Sequence, residues 1–188
     1  MNTAIGYKLF RIKKSEKGKL FPLYVFADEE VPMGEWLQAK EGETKDGKVL
    51  SRLGSLRFRP GWHINSDCPY VSHIGKKVDG KIKYMSPNTV WCEVEYNVDF
   101  NYCDEAKQNG YKNGKFKYLN ADLKYIPIGG YYKYKTNPNM TGEWIIAGEM
   151  KVNRILNDNE VKEICQIKKS KYLPRETEIN LKEYGFVI

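Results

Sequence analysis

The segment Val90–Tyr96 alternates strictly between two kinds of side chain, and this alternation limits the fold more than any other feature of the sequence. Its even-numbered positions hold valine, cysteine and tyrosine, while its odd-numbered positions hold one tryptophan and two glutamates. A period of two is that of a β-strand. Other short strand-like segments are separated by tight-turn signals such as Val78-Asp79-Gly80-Lys81. We therefore predict an α+β fold, a single domain dominated by antiparallel sheet with a few short helices.

Further elements follow from local patterns along the chain. Tyr7–Ile12 is predicted to be the first strand, with Leu9 on one face and Lys8 on the other. Trp144–Ala147 and Met150–Leu156 are expected to be strands that pair with each other around a glycine. A capping sequence indicates a helix at about 158–168.

Chain length and composition favour one domain. We predict a single α+β domain over residues 1–168 and a peripheral C-terminal tail over residues 169–188, because no linker or repeat divides the 188 residues. The mean hydropathy of −0.64 and the lack of an apolar run near 18 residues indicate no membrane partner. No apolar leader opens the chain, and the four cysteines have no paired spacing, so we expect a cytoplasmic protein with reduced thiols.

The charge balance favours anionic partners. Lysine and arginine together number 31 against 24 aspartates and glutamates, which gives a formal charge of +7. Lysines outnumber arginines, and lysine produces a diffuse solvated field rather than bidentate contacts. The sequence therefore permits weak binding to nucleic acid, although solvated turns explain the same lysines.

The block of residues 56–75 holds both histidines of the protein and is the candidate site. Arg57 and Arg59 precede a Pro-Gly turn that is followed by His63, and His73 lies ten residues further on. Zinc could be held by the two histidines together with Cys68, but their spacing matches no common zinc module, so we expect no metal. No nucleophile elbow and no phosphate-binding glycine loop occurs in the sequence.

A small metal-independent RNase is one function that these residues permit. His63 and His73 could serve as acid and base on an RNA phosphodiester, with Arg57 or Arg59 stabilising the developing charge. A structural role fits the same residues, because arginines beside a Pro-Gly turn often bind loop carbonyls.

Four segments resemble a group of uncharacterised proteins of bacteriophages and prophages of gut bacteria. They are Tyr7–Arg11, Phe58–His63, Trp91–Glu95 and Trp144–Leu156, and together they span most of the chain up to about residue 168. The group has no established activity. Its origin implies a protein that works in the cytoplasm of a bacterial host.

The order of elements also resembles the ADP-ribosyltransferase fold. That resemblance implies that NAD is the cofactor and that Arg11, at the end of the first strand, would grip it. It implies that Glu143, which opens a late strand, would act on the ribose. His63 would complete a catalytic set with these two residues, and a carboxylate beside the ribose would stabilise the cation that forms when nicotinamide leaves. The usual pair of glutamates is absent, because Thr141 stands at the first position.

The resemblance also implies a set of residues that bind the cofactor. Arg11 and Arg59 supply guanidinium groups suited to a pyrophosphate, and Trp62 or Tyr70 could stack on the nicotinamide ring. His63, Ser66 and Tyr70 are alternatives for the central position of the pocket.

A non-enzymatic function is the alternative. The sparse polar chemistry and the 14 tyrosines favour an accessory protein that binds and inhibits a host protein, such as a defence factor, since tyrosine is a common interface anchor.

Overall fold

β-Strands make up most of the regular structure, which confirms the predicted α+β class. A computed structural model describes residues 1–71, 75–84, 88–112, 121–136, 139–140, 142–175 and 177–187. The strands are β1 (Thr3–Lys13), β2 (Glu16–Phe21), β3 (Trp36–Gln38), β4 (Thr44–Lys45), β5 (Lys48–Val49), β6 (Leu56–Arg57), β7 (Trp62–Asn65), β8 (Gly75–Val78), β9 (Lys81–Tyr84), β10 (Thr89–Asn97), β11 (Phe100–Asn101), β12 (Gly130–Tyr134), β13 (Trp144–Ala147) and β14 (Glu149–Ile155). The helices are α1 (Cys103–Lys112), α2 (Asp158–Ile167) and a 3-10 turn, Leu181–Tyr184. In the described ranges, no helix has the length and apolar character needed to cross a bilayer.

Nine strands form one mixed sheet in the order β11-β12-β13-β7-β1-β10-β14-β3, with β2 paired to β1 outside this path. The pair β11–β12 is parallel and the other pairs are antiparallel. Two small sheets stand apart, β4-β5-β6 and the hairpin β8–β9. The hairpin confirms the turn predicted at Asp79-Gly80.

The large sheet curls round on itself, and Gly148 shows why. This single residue joins β13 to β14, yet β7, β1 and β10 lie between these two strands in the sheet. A flat sheet would separate β13 from β14 by about 19 Å, whereas one linking residue spans about 7 Å. The predicted pairing of Trp144–Ala147 with Met150–Leu156 is therefore wrong. A side chain at Gly148 would overlap the carbonyl of Pro127, so only glycine fits this crossing.

The curl encloses the main core on the inner face of the sheet. The inner residues of β1, β7, β10, β13 and β14 include Phe10, Ile12, Ile64, Val90, Cys92, Val94, Tyr96, Ile145, Ala147, Met150 and Val152. Helix α2 covers part of the outer face, where Val161 and Cys165 pack against Leu9 and Trp91. Asn157 caps this helix as the sequence predicts, accepting a 2.9 Å hydrogen bond from the Glu160 amide.

The C-terminal segment 169–188, for which the sequence predicts a peripheral tail, contributes to the core at three positions. Leu173 is buried in the cluster under α2, and Tyr184 and Phe186 are buried in the main core. Their burial follows from their apolar side chains and makes these positions part of the packed domain.

Candidate functional site

A gap in strand pairing lies between β1 and β7. One edge of β1 pairs with β10 over nearly its whole length. On the other edge β7 pairs at Tyr7 and β2 begins to pair at Arg11. The three residues between them have no strand partner on this edge in the described structure. Lys8 fills the gap, because its Nζ donates a 2.7 Å hydrogen bond to the main-chain oxygen of His63.

A cavity of about 800 Å³ opens beside this gap, a volume typical of small-molecule sites. Its walls come from β1, β3 and β7, from the loop after β2 and from the small sheet β4-β5-β6. All four tryptophans of the chain line it, namely Trp36, Trp62, Trp91 and Trp144. Such walls favour a flat, apolar ring.

Lys8 lines the cavity and is not one of the site residues predicted from the sequence. It shares the inward face of β1 with Phe10 and Ile12, and its Nζ lies 5.7 Å from the ring centre of Phe10 and 5.8 Å from that of Trp62. Burial lowers its pKa to about 8. No carboxylate of the described chain forms an ion pair with it. The signal was visible in the sequence, since a lysine occupies an otherwise apolar side of a strand.

His63 lies on the cavity wall as a neutral imidazole. Its Nδ1 is 3.2 Å from the carbonyl oxygen of Gly61, and its ring meets Trp144 edge-on at 6.4 Å between centroids. Burial, followed by the positive charges of Lys8 and Arg59, lowers its pKa to about 3. Near neutral pH it is therefore not in the imidazolium form that a general acid needs, which weakens an acid role for it in the RNase hypothesis.

Arg59 and Trp62 line the same cavity as His63. The Arg59 guanidinium stacks 4.1 Å above the ring centre of Tyr134, and its Nε is buried with no hydrogen-bond partner in the residues described. The Trp62 indole nitrogen donates a 2.9 Å hydrogen bond to the Leu37 carbonyl, which joins β7 to the far edge strand β3 across the curl.

Arg11 and Glu143 are not among the described residues that line the cavity. Arg11 donates a 3.1 Å hydrogen bond from Nη1 to the carbonyl oxygen of Ala27. Glu143 pairs through its main chain with Ser66, whose amide donates to the Glu143 carbonyl at 3.1 Å and whose Oγ accepts from the Glu143 amide at 2.9 Å. Glu143 immediately precedes β13. Burial, with smaller effects of nearby groups including Glu143, raises the pKa of Tyr96 in the inner core to about 12.

Comparison with protein-family models, with curated proteins and with solved structures gives no match. The function is therefore inferred from the chemistry of the cavity.

Ser66 and Tyr70 are not among the described residues that line the cavity. Tyr70 packs against the cluster under α2, and its carbonyl accepts a hydrogen bond from the Asn65 amide nitrogen. His73 and Thr141 lie outside the described residues. Of the site residues proposed from sequence, Arg57, Arg59, Trp62 and His63 line the same cavity.

The cavity carries unneutralised positive charge. Lys40 on its wall is paired with Glu29 at 2.8 Å, and Arg57 is paired with the buried Asp122 at 3.0 Å. Lys8 and Arg59 have no such carboxylate in the described part of the chain. Two cations beside aromatic walls suit a ligand that joins a planar ring to an anionic group.

Proposed function

We propose that this protein binds an anionic ligand with a planar ring, of the nucleotide class to which NAD belongs, in the tryptophan-lined cavity. One observation carries the proposal: Lys8 and Arg59, two cations without a carboxylate partner among the described residues, lie in a cavity that all four tryptophans line. A phosphate group would supply the missing negative charge, and a base or nicotinamide ring would cover the indole surfaces.

Tight binding requires both the planar ring and the anionic group of the ligand. Stacking of a base on an aromatic side chain contributes about 1–3 kcal/mol. A hydrogen bond to a charged group contributes about 1.5–3 kcal/mol. Neither part alone exceeds the several kcal/mol lost when a ligand is immobilised. We therefore expect a ligand with both parts to bind far better than either fragment.

The proposal concerns binding, and ADP-ribosyl transfer remains a prediction beyond it. Cleavage of nicotinamide from ribose requires a carboxylate near the sugar. Glu29 and Glu30 are the carboxylates among the described lining residues, and each is paired, with Lys40 at 2.8 Å and with Lys19 at 3.2 Å. Inhibition of a host protein likewise remains a prediction. A ligand-binding cavity is compatible with it but does not support it.

Tryptophan fluorescence tests the proposal directly, because every tryptophan of the protein lines the cavity. The purified protein is titrated with NAD, ADP-ribose, adenosine and inorganic pyrophosphate. We expect saturable quenching by NAD and ADP-ribose, and at least about tenfold weaker binding of adenosine and pyrophosphate, which corresponds to about 1.4 kcal/mol. Released nicotinamide is measured in the NAD sample to test the transferase prediction separately.

Two variants locate the site. Lys8→Met should weaken NAD binding about tenfold or more, because it removes a half-buried cation that lines the cavity. Lys162→Met removes a lysine from the exposed side of α2 and should leave the affinity unchanged. The proposal is rejected if no nucleotide gives saturable quenching up to about 1 mM, or if both variants weaken binding equally.

A further inference from the structure

The Lys8 amine lines the cavity and is held by one hydrogen bond in the described structure. One of its N–H groups donates to the His63 carbonyl, while the aromatic rings of Phe10 and Trp62 lie nearly 6 Å away on the apolar side. An ammonium carries three N–H donors, and a neutral amine keeps one lone pair. Because one N–H fixes Nζ at the mouth of the strand gap, the lone pair of the neutral form is available to a ligand in the cavity.

We propose that Lys8 Nζ is a nucleophile that forms an imine with a carbonyl-bearing ligand in this cavity. The inference rests on the proposed function for the location of the ligand, and it adds a carbonyl group to the ligand's chemistry. An aldehyde or ketone on a planar ring with an anionic substituent fits the same walls and the same two cations.

The step balances without any further reactant. The Nζ lone pair attacks the carbonyl carbon and forms a C–N bond, while the carbonyl oxygen takes up a proton. The resulting carbinolamine loses this oxygen as water together with the second proton of Nζ, and a C=N bond remains. Amine and carbonyl compound thus give imine and one molecule of water.

The surroundings of Lys8 favour the reactive form. No carboxylate in the described chain forms an ion pair with the ammonium, and burial lowers the Lys8 pKa from 10.5 to about 8. Near pH 7 about one tenth of this amine is neutral, against about 0.03% of an ordinary exposed lysine, a difference of about 300-fold. Exposed lysines are therefore slow competitors.

Borohydride trapping with pyridoxal 5′-phosphate tests the inference, since this probe joins an aldehyde, a planar ring and a phosphate. Sub-stoichiometric probe is added near pH 7, the imine is reduced with sodium borohydride, and the adduct is mapped by peptide mass spectrometry. We expect labelling of Lys8 at least about tenfold above that of any other lysine. The labelling rate should rise with pH and level off above about pH 8.

Two controls make the result specific. Lys8→Arg should lose the adduct, while Lys162→Arg, on the exposed side of α2, should retain it. Pyridoxine 5′-phosphate, which lacks the aldehyde, should protect Lys8 by occupying the cavity.

The mapping in the unaltered protein decides the inference even if Lys8→Arg folds poorly. Label spread over exposed lysines, with Lys8 unmodified, would overturn imine formation while NAD quenching could still support the proposed function. Label on Lys8 without nucleotide binding would overturn the nucleotide assignment and support the amine's reactivity.

Discussion

Lys8 Nζ and the main-chain oxygen of His63 are joined by a 2.7 Å hydrogen bond across the gap between β1 and β7. In a continuous ladder this carbonyl would pair with a main-chain amide. Here β7 leaves β1 after the Tyr7 pair, so a side chain takes the place of the amide. The gap between β1 and β7 lies beside the cavity, and the same gap holds the Lys8 ammonium at the cavity wall.

Lys8→Met is expected to remove a pH dependence of stability. The pKa of Lys8 is about 8 in the folded protein and 10.5 when unfolded. Between these values the unfolded chain binds more protons, so this group makes the folded protein more stable as the pH rises. The parent protein should gain about 2–3 kcal/mol relative to Lys8→Met between about pH 7 and about pH 10.

Urea denaturation of both proteins at the two pH values measures this difference. Lys162→Met, on the exposed side of α2, serves as the control and should follow the parent protein. Parallel pH profiles for the parent and Lys8→Met would show that the lysine keeps an ordinary pKa.

His63→Asn is expected to protect the fold against acid. The pKa of His63 is lowered from 6.5 to about 3 by burial. Below pH 6.5 this histidine is protonated in the unfolded chain but still neutral in the folded chain. The free energy of unfolding therefore falls as the pH falls. The parent protein should lose about 2–3 kcal/mol more than the variant between about pH 7 and about pH 4.5.

Asparagine does not titrate, and its amide can occupy the place of Nδ1 beside the Gly61 carbonyl. Chemical denaturation at both pH values gives the comparison, and only the difference between the two profiles is used because the smaller side chain has its own cost. Equal acid sensitivity in the two proteins would contradict a lowered pKa of the His63 imidazole.

The sequence predicted those parts of the fold that depend on local patterns. The alternation of Val90–Tyr96 defined β10 because one face of that strand lies in the core. The Asp79-Gly80 turn defined the β8–β9 hairpin. The glycine at 148 has the same local appearance as a hairpin turn, but it marks a crossing between distant strands. A hairpin turn and such a crossing differ only in how the whole sheet curls. No short segment of sequence encodes that curl.

The candidate site was predictable in part for the same reason. Arg59, Trp62 and His63 lie within five residues, so their common location follows from the chain itself. Whether Arg11 and Glu143 lie beside them depends on the register of three strands, and the sequence does not supply that register. Lys8 shares a strand face with Phe10 and Ile12, yet its position in the cavity depends on where β7 separates from β1.

Gly61→Ala tests how the turn positions the site. Gly61 has a φ of +128°, and an added Cβ would overlap the Ile146 side chain and lie 3.1 Å from Ile126. Gly54→Ala is the matched control, because Gly54 has a φ of +111° and a Cβ added there would meet no other atom within 4 Å. We expect Gly54→Ala to cost about 1–2 kcal/mol from backbone strain and Gly61→Ala about 3 kcal/mol or more.

Thermal unfolding of both variants measures these costs, and NAD quenching of the folded fraction shows whether Trp62 is still in place. Similar losses in the two variants would mean that packing against Ile146 does not constrain the turn.

Glu143→Gln and Arg59→Gln separate the cavity from the ADP-ribosyltransferase arrangement. Arg59 lines the cavity and stacks on Tyr134, so its neutral replacement should weaken NAD binding about tenfold. Glu143 pairs with Ser66 through its main chain and lies outside the described cavity lining, so Glu143→Gln should bind NAD with unchanged affinity. Fluorescence titration of the two variants at one ionic strength makes the comparison. A loss of affinity in Glu143→Gln with none in Arg59→Gln would place the ligand near Glu143 and would favour the arrangement of Arg11, His63 and Glu143 implied by the ADP-ribosyltransferase resemblance.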